Sequence, residues 1–453
     1  MIRSNKWNGQ RRVPVFLLVL LAAQTFAAFL SETKFIPSIK NNVGVFEVNA
    51  VVLIGAALVY YYKHRLPVRL HPIFAIMSVW LLAASLSLFQ LPPDRLEFGV
   101  TAVIILMFQL VFTVVLHNLL SLHQTHLIFL LRCVACSLAV IGLWVLVDQM
   151  TSSGDINAAG PFRNRTHMGI YMYSAFWMVV FYLFWPGVSR GERWGLSAIL
   201  ALTLYAVAVS GRQSIYIAFI VGLAGLVLSF VITSGRERFK IGRAVMLVAC
   251  LVGIFFLGAS PYLRQLDFFR AEAATVGEKL ERATANGDSS EGAEDFVALQ
   301  RAGALRAFYD HPFLGIGWGG FYRSEYSPTG DEMHSTPLRF LAELGLAGVT
   351  IYLSLMGYLL IGALRLFLRA RKTSLQFPAW VLWVAFCSLS VSQYYNRMFT
   401  DRAYWLLLVA FLGFEAFLLN QPESMPIRSI PLATRIARRL NLATADRSLT
   451  GGD

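Results

Sequence analysis

The sequence predicts an all-α polytopic integral membrane protein with about twelve transmembrane helices. Hydrophobic residues make up 57% of the 453 residues and charged residues only 14%, which is more apolar surface than a water-soluble fold can hide. Apolar stretches of about 17 to 25 residues, long enough to cross a bilayer as a helix, recur from Val13 to Leu419. Because these stretches follow one another closely, we expect residues 1–453 to form a single transmembrane domain.

Each predicted span is a mainly apolar run bounded by polar residues. The spans are residues 13–30, 46–62, 72–91, 98–119, 126–147, 167–185, 194–209, 214–233, 244–260, 336–363, 376–392 and 403–420. Basic residues precede the first span, but no convincing small-residue cleavage site follows it, so we expect a retained helix rather than a signal peptide. All four cysteines fall within spans, which indicates neither a disulfide framework nor a metal site.

Lysine and arginine residues indicate the orientation of the spans, since short basic loops stay in the cytoplasm. With the N-terminus inside, nearly every second loop is basic, as at residues 63–69 and 236–243. The basic tail, residues 421–453, then lies in the cytoplasm as well. This bias accounts for most of the net charge of +13, so the charge does not indicate nucleic-acid binding.

Several arginines stand in predicted outer loops, against this bias. Guanidinium groups match phosphate oxygens, so we expect an anionic ligand at the outer face. The alternative is that each arginine pairs with an acidic residue or a lipid headgroup. The loop arginines are Arg163, Arg165 and Arg212, then Arg301 and Arg306 in the large outer loop of residues 261–334, and Arg397 near the same face.

A glycine-rich turn, His311–Phe321, lies near the end of the large outer loop and follows a predicted helix over Phe296–Tyr309. The backbone N–H groups of Gly315 and Gly317 could approach a phosphate closely. A Gly/Trp re-entrant turn at the membrane interface is an equally good interpretation of the same residues.

His334 stands directly before a long apolar helix. Ser335 or Thr336 can cap that helix, and Pro337 suits its first turn. The imidazole is therefore expected at the outer boundary between membrane and water. A neutral histidine there could accept a proton from a hydroxyl group, although a histidine that only caps or snorkels explains the position as well.

Four motifs follow in order between Gly160 and Ala363. They are Gly-x-Phe-x-Asn ending at Asn164, Ser-x-Arg ending at Arg212, an arginine-led helix from Arg301 into Pro-x-x-Gly-x-Gly, and His-x-x-x-Leu-x-x-x-x-x-x-Gly from His334 to Gly345. This order resembles the O-antigen ligase superfamily, which includes ligases, polymerases and some protein O-oligosaccharyltransferases. Ser335 stands where asparagine is frequent and Pro337 where an aromatic residue is often seen, which bears on the identity of the acceptor.

The resemblance implies a metal-independent, inverting glycosyltransferase without a cofactor, at the periplasmic face of the bacterial inner membrane. The donor would be a glycan on undecaprenyl diphosphate, and the acceptor a hydroxyl of lipid A–core in lipopolysaccharide assembly. His334 would be the general base, and Arg163, Arg212 and Arg301 would bind the donor diphosphate. The secondary candidates are Arg165, Arg306, Asn164, Gly315, Gly317 and Arg397.

Two other functions fit parts of the same pattern. An O-antigen or exopolysaccharide polymerase uses the same donor but a second undecaprenyl-linked glycan as acceptor. One large and one short outer loop favour a ligase, since polymerases often carry two sizeable loops. A membrane transporter would also have about twelve helices, but it should show paired halves and charges near the middle of its spans.

Overall fold

The computed structural model describes residues 13–30, 45–151, 165–210, 213–232, 293–327, 330, 333–371, 373–396 and 402–419. Within these ranges the regular structure is entirely helical. The predicted ninth span, residues 244–260, and the basic tail, residues 421–453, lie outside the described residues, as does much of the large loop.

The described helices are long, and most of them are strongly apolar. They are α1 (Val15–Leu30), α2 (Val45–Lys63), α3 (Pro72–Ser87), α4 (Pro93–Leu122), α5 (Gln124–Thr151), α6 (Arg165–Leu183), α7 (Arg190–Val209), α8 (Gln213–Ile232), α9 (Ala293–Asp310), α10 (Thr336–Arg369), α11 (Gln376–Tyr395) and α12 (Arg402–Leu419). A 3-10 turn, Leu88–Gln90, continues α3.

Eleven of the twelve predicted spans coincide with one of these helices, the ninth being the one outside the described ranges. Seven of the described helices are long and apolar enough to cross a membrane, and three shorter apolar helices accompany them. The predicted loop helix over Phe296–Tyr309 corresponds to α9. The number, length and hydropathy of these helices support the prediction of a polytopic membrane protein.

Two helices, α6 and α12, form the centre of the bundle. Nearly every described side chain of α6 is buried, and α12 is buried along most of its length. Aromatic rings fill the space around them: Trp177 and Phe176 of α6 pack on Phe219 of α8, and Phe181 packs on Phe414 of α12. The outer helices, such as α2, instead expose apolar side chains, as expected for a surface covered by lipid.

Polar contacts between helix termini define the two ends of the bundle. At one end, which we call the His334 end, the end of α3 and the start of α4 lie beside the glycine-rich turn: the Trp318 N–H donates to Ser87 Oγ at 2.9 Å. At the opposite end, His71 at the start of α3 lies 2.7 Å from the Glu415 carboxylate of α12. Helix α3 therefore begins where α12 ends, so these two helices run in opposite directions.

Candidate functional site

His334 is held by its backbone and presents its side chain at the surface. Its N–H donates to Oε1 of Gln300 in α9 at 3.2 Å. Gln300 is only 2% exposed, whereas His334 is exposed. A buried amide thus anchors the segment that leads into α10, and the imidazole lies where a substrate can reach it.

The neighbouring residue of α9, Arg301, extends toward α11. Its guanidinium carbon lies 5.0 Å from the centre of the Tyr394 ring, which is within the range of a cation–π interaction. Two residues further, the Asn396 carbonyl accepts a hydrogen bond from Thr336 Oγ1 at 2.7 Å. Three segments therefore meet around His334. We call this set the site collar: Gln300, Arg301, His334, Thr336, Tyr394 and Asn396.

The start of α10 follows the predicted local chemistry only in part. Ser335 occupies the N-cap position and Pro337 lies in the first turn, as predicted. The predicted side-chain cap is wrong, because the buried Ser335 hydroxyl finds no hydrogen-bond partner among the described residues. The Thr336 hydroxyl instead donates to the carbonyl of Asn396, directly after α11, so it links the two helices rather than closing the end of one.

Small residues let α9 lie close enough to supply the site collar. Ala304 and Ala307 are fully buried. A Cβ atom on Gly303 would lie 1.9 Å from the Tyr326 carbonyl oxygen, so no larger residue fits there without a shift of the backbone. The position of Arg301 thus depends on the close packing of α9 against the turn that follows the glycine-rich segment.

Helix α10 is broken at Gly345, whose φ of 59° and ψ of −143° are non-helical. The break leaves backbone groups unpaired within the helix, and the glycine-rich turn pairs with them. The N–H groups of Ile316 and Gly317 donate to the carbonyls of residues 342 and 343 at 3.0 Å, and those of residues 346 and 347 donate to the carbonyls of residues 312 and 313 at 2.7 and 3.2 Å. Irregular backbone at membrane depth requires such pairing within the protein.

The close approach of the two backbones explains the glycines in both motifs. A Cβ on Gly315, which has a φ of +67°, would lie 2.3 Å from the Glu343 carbonyl carbon. A Cβ on Gly345 would lie 2.6 Å from the Pro312 carbonyl oxygen. The glycine-rich motif and the histidine motif are thus two halves of one backbone contact, which we call the Gly315–Gly345 interlock.

The N–H groups of Gly315 and Gly317 donate to the His311 and Glu343 carbonyls, both at 3.0 Å. In this conformation they are used within the fold rather than directed at a phosphate. The turn packs on α3 and α4, where Arg95 Nη1 also donates to the Gly320 carbonyl at 3.0 Å. This geometry favours the alternative interpretation, a Gly/Trp turn docked against the helix ends.

A buried ion pair holds the interlock from one side. Arg339 Nε and the Gly319 N–H donate to the same oxygen of Glu343, at 2.9 and 2.8 Å. The Arg339 guanidinium also lies 4.6 Å from the centre of the Trp318 ring. This pair was not predicted from the sequence, although an arginine and a glutamate four residues apart in an apolar span are an unusual and detectable signal.

Replacing Glu343 with glutamine is expected to lower the free energy of unfolding by ~3–5 kcal/mol, because the buried guanidinium of Arg339 would lose the carboxylate that faces it. The side chains of Arg339 and Glu343 are 13% and 3% exposed. Asp310→Asn is the matched control, since the Arg306–Asp310 pair has the same spacing but is 69% and 48% exposed. Thermal unfolding in nanodiscs should show a large shift for Glu343→Gln and almost none for the control; equal shifts would contradict the structural role of the buried pair.

The remaining candidate arginines either have contacts elsewhere in the protein or have side chains outside the described part of the structure. Arg306 pairs with Asp310 at 3.9 Å and lies 5.8 Å from the Tyr326 ring, on a different side of α9 from Arg301. Arg402, which was not among the predicted candidates, donates to the Glu47 carboxylate at 2.8 Å. Four of the predicted site residues lie outside the described part of the chain: Arg163, Asn164, Arg212 and Arg397. The side chain of Arg165 lies outside it as well.

Among the primary candidates, the described structure contains Arg301 and His334, and it holds the backbone of His334 against Gln300, the neighbour of Arg301 in α9. Comparison with protein families matches residues 198–353 to the family described as O-antigen ligase, in agreement with the resemblance found in the sequence. The matched segment includes the interlock, Arg301 and His334. No curated protein matches the chain.

Proposed function

We propose that this chain, whose residues 198–353 carry an O-antigen ligase domain, transfers a glycan from undecaprenyl diphosphate to a hydroxyl of lipid A–core in lipopolysaccharide assembly. The observation that carries the proposal is the site collar, in which α9 contributes a cation and also anchors the exposed histidine. A general base beside a phosphate-binding cation is what transfer from a lipid diphosphate requires. The site would face the periplasm, with both termini in the cytoplasm.

His334 is the general base in this proposal. Its imidazole takes the proton from the acceptor hydroxyl as the oxygen attacks the anomeric carbon of the donor sugar. The bond between that carbon and the diphosphate oxygen breaks on the opposite face, so the configuration inverts. The electron pair leaves with undecaprenyl diphosphate, and the proton leaves the imidazole to solvent.

Arg301 binds the donor diphosphate in this proposal, together with Arg163 and Arg212. Negative charge grows on the bridging oxygen as the sugar–phosphate bond breaks, and fixed guanidinium groups stabilise it. A bidentate guanidinium fork matches two phosphate oxygens, as a point charge does not. The arginines would thus take the place that a divalent cation holds in other glycosyltransferases.

The test is transfer by purified protein in nanodiscs, with undecaprenyl-diphosphate-linked glycan as donor, lipid A–core as acceptor and chelator in excess. We expect glycan on lipid A–core at a rate that the chelator does not change. Loss of transfer on chelation would contradict the metal-free mechanism. Longer undecaprenyl-linked chains with unmodified lipid A–core would show a polymerase. Uptake of the labelled glycolipid into sealed vesicles that contain the protein, without transfer, would show a transporter.

A further inference from the structure

We propose that Tyr394 is a positioning residue that holds Arg301 in the orientation needed to bind the diphosphate of the donor. The inference rests on the proposed function and extends it to α11, beyond the segment that matches the ligase family. It assigns a role to an aromatic side chain that carries none of the reacting groups. Tyr394 acts through Arg301 and not on the sugar.

The geometry places Tyr394 directly under the guanidinium. The Arg301 Cζ lies 5.0 Å from the ring centre, so the cation faces the π-electron cloud. The ring attracts the positive charge of the guanidinium without accepting a conventional hydrogen bond, whereas phosphate oxygens accept hydrogen bonds from its N–H groups. Support by a ring is therefore compatible with bidentate binding of the diphosphate.

The ring itself is fixed relative to His334. Tyr394 lies in the last turn of α11, and the Asn396 carbonyl beyond it accepts the Thr336 hydroxyl at 2.7 Å. The amide of Asn396 donates back to the Ser392 carbonyl at 3.2 Å, which ties this segment to the helix. Thr336 is two residues from His334, and Asn396 is two residues from Tyr394. The hydrogen bond between Thr336 and Asn396 therefore links the segment that carries the imidazole to the segment that carries the tyrosine ring.

Arginine needs such a support because its side chain is long and has many rotamers. Gln300 fixes the backbone of α9 beside His334, but it does not fix the end of the Arg301 side chain. Tyr394 is 43% exposed, so the cation–π pair lies at the surface, where a large lipid-linked substrate can approach. A guanidinium that is already oriented loses less freedom when the diphosphate binds.

The test compares Tyr394→Leu, which removes the ring, with Tyr394→Phe, which keeps it. We expect Tyr394→Leu to lower kcat/KM for the donor about tenfold, with the KM for the acceptor unchanged, and Tyr394→Phe to behave like the wild type. Tyr309→Leu is the control, since Tyr309 is an exposed tyrosine of α9 at the same end of the bundle. A merely structural role would move the constants of both substrates or lower the melting temperature.

A double-mutant cycle identifies the residue through which Tyr394 acts. In an Arg301→Ala background the Tyr394→Leu change should have no further effect on donor kcat/KM. Additive losses would overturn the proposal, as would a tenfold loss in Tyr394→Phe or an unchanged donor constant in Tyr394→Leu. Turnover by the wild type tests the proposed function separately, so failure of that function and failure of this inference give different results.

Discussion

Replacing His334 with alanine is expected to lower glycan transfer by about 10² to 10⁴-fold, the usual loss when a general base is removed. The fold should survive, because the contact that anchors this residue is its backbone N–H to Gln300, which alanine keeps. The exposed side chain contributes little burial. Initial rates of transfer to lipid A–core, measured together with the melting temperature in nanodiscs, check both parts of the prediction.

His311→Ala is the matched control for this change. His311 is also an exposed histidine at the His334 end, but its ring lies beside Tyr326, 6.2 Å between centres, and not in the site collar. We expect it to transfer glycan at nearly the wild-type rate. Equal activity of the wild type and His334→Ala would exclude His334 as the base, and an equal loss in both histidine variants would indicate a general effect on the loop.

The helices were predictable because a bilayer sets the length of an apolar run. The predicted and observed ends differ mainly where a helix continues into polar residues beyond that run. Thus α4 was predicted over residues 98–119 but extends over Pro93–Leu122, and α10 continues from the predicted residue 363 to Arg369. Polar residues continue a helix at the interface without adding hydropathy, so periodicity and composition miss them.

The break at Gly345 was not predictable from hydropathy, since the apolar run continues through it. Glycine is common in membrane helices, and its φ is decided here by a partner that lies about thirty residues earlier in the chain. The resemblance named Gly315 and Gly345 as motif positions, but only the structure joins them. Pairing between distant backbones is a tertiary property, and local sequence carries no direct signal of it.

The candidate site was predicted as residue types on one face rather than as a geometry. The order of the spans and the position of the loop helix predict that Arg301 and His334 lie on the same face of the membrane, and nothing closer. Tyr394 could not be assigned in that way, because a tyrosine near a helix end is ordinary at a membrane interface. Its role emerges from its contact with Arg301, just as the pairing of Arg339 with Glu343 emerges from the fold.

Gly345→Ala is expected to abolish most transfer and to lower the melting temperature. A φ of +59° costs a side-chain residue about 1–3 kcal/mol, and the added Cβ would lie 2.6 Å from the Pro312 carbonyl oxygen. The chain can relieve this by straightening α10, which would break the four hydrogen bonds of the interlock. The part of α10 before the break, residues 336–344, would then move, and His334 with it.

Gly357→Ala on the same helix separates this effect from the general cost of changing a glycine. A Cβ on Gly357 meets no atom within 4 Å, so alanine there should be neutral or slightly stabilising, by about 0.5–1 kcal/mol. Transfer rate and melting temperature should therefore fall only in Gly345→Ala. If Gly345→Ala kept wild-type transfer, the break would not be what positions His334. Loss of transfer with an unchanged melting temperature would instead show that the interlock serves the site more than the stability of the fold.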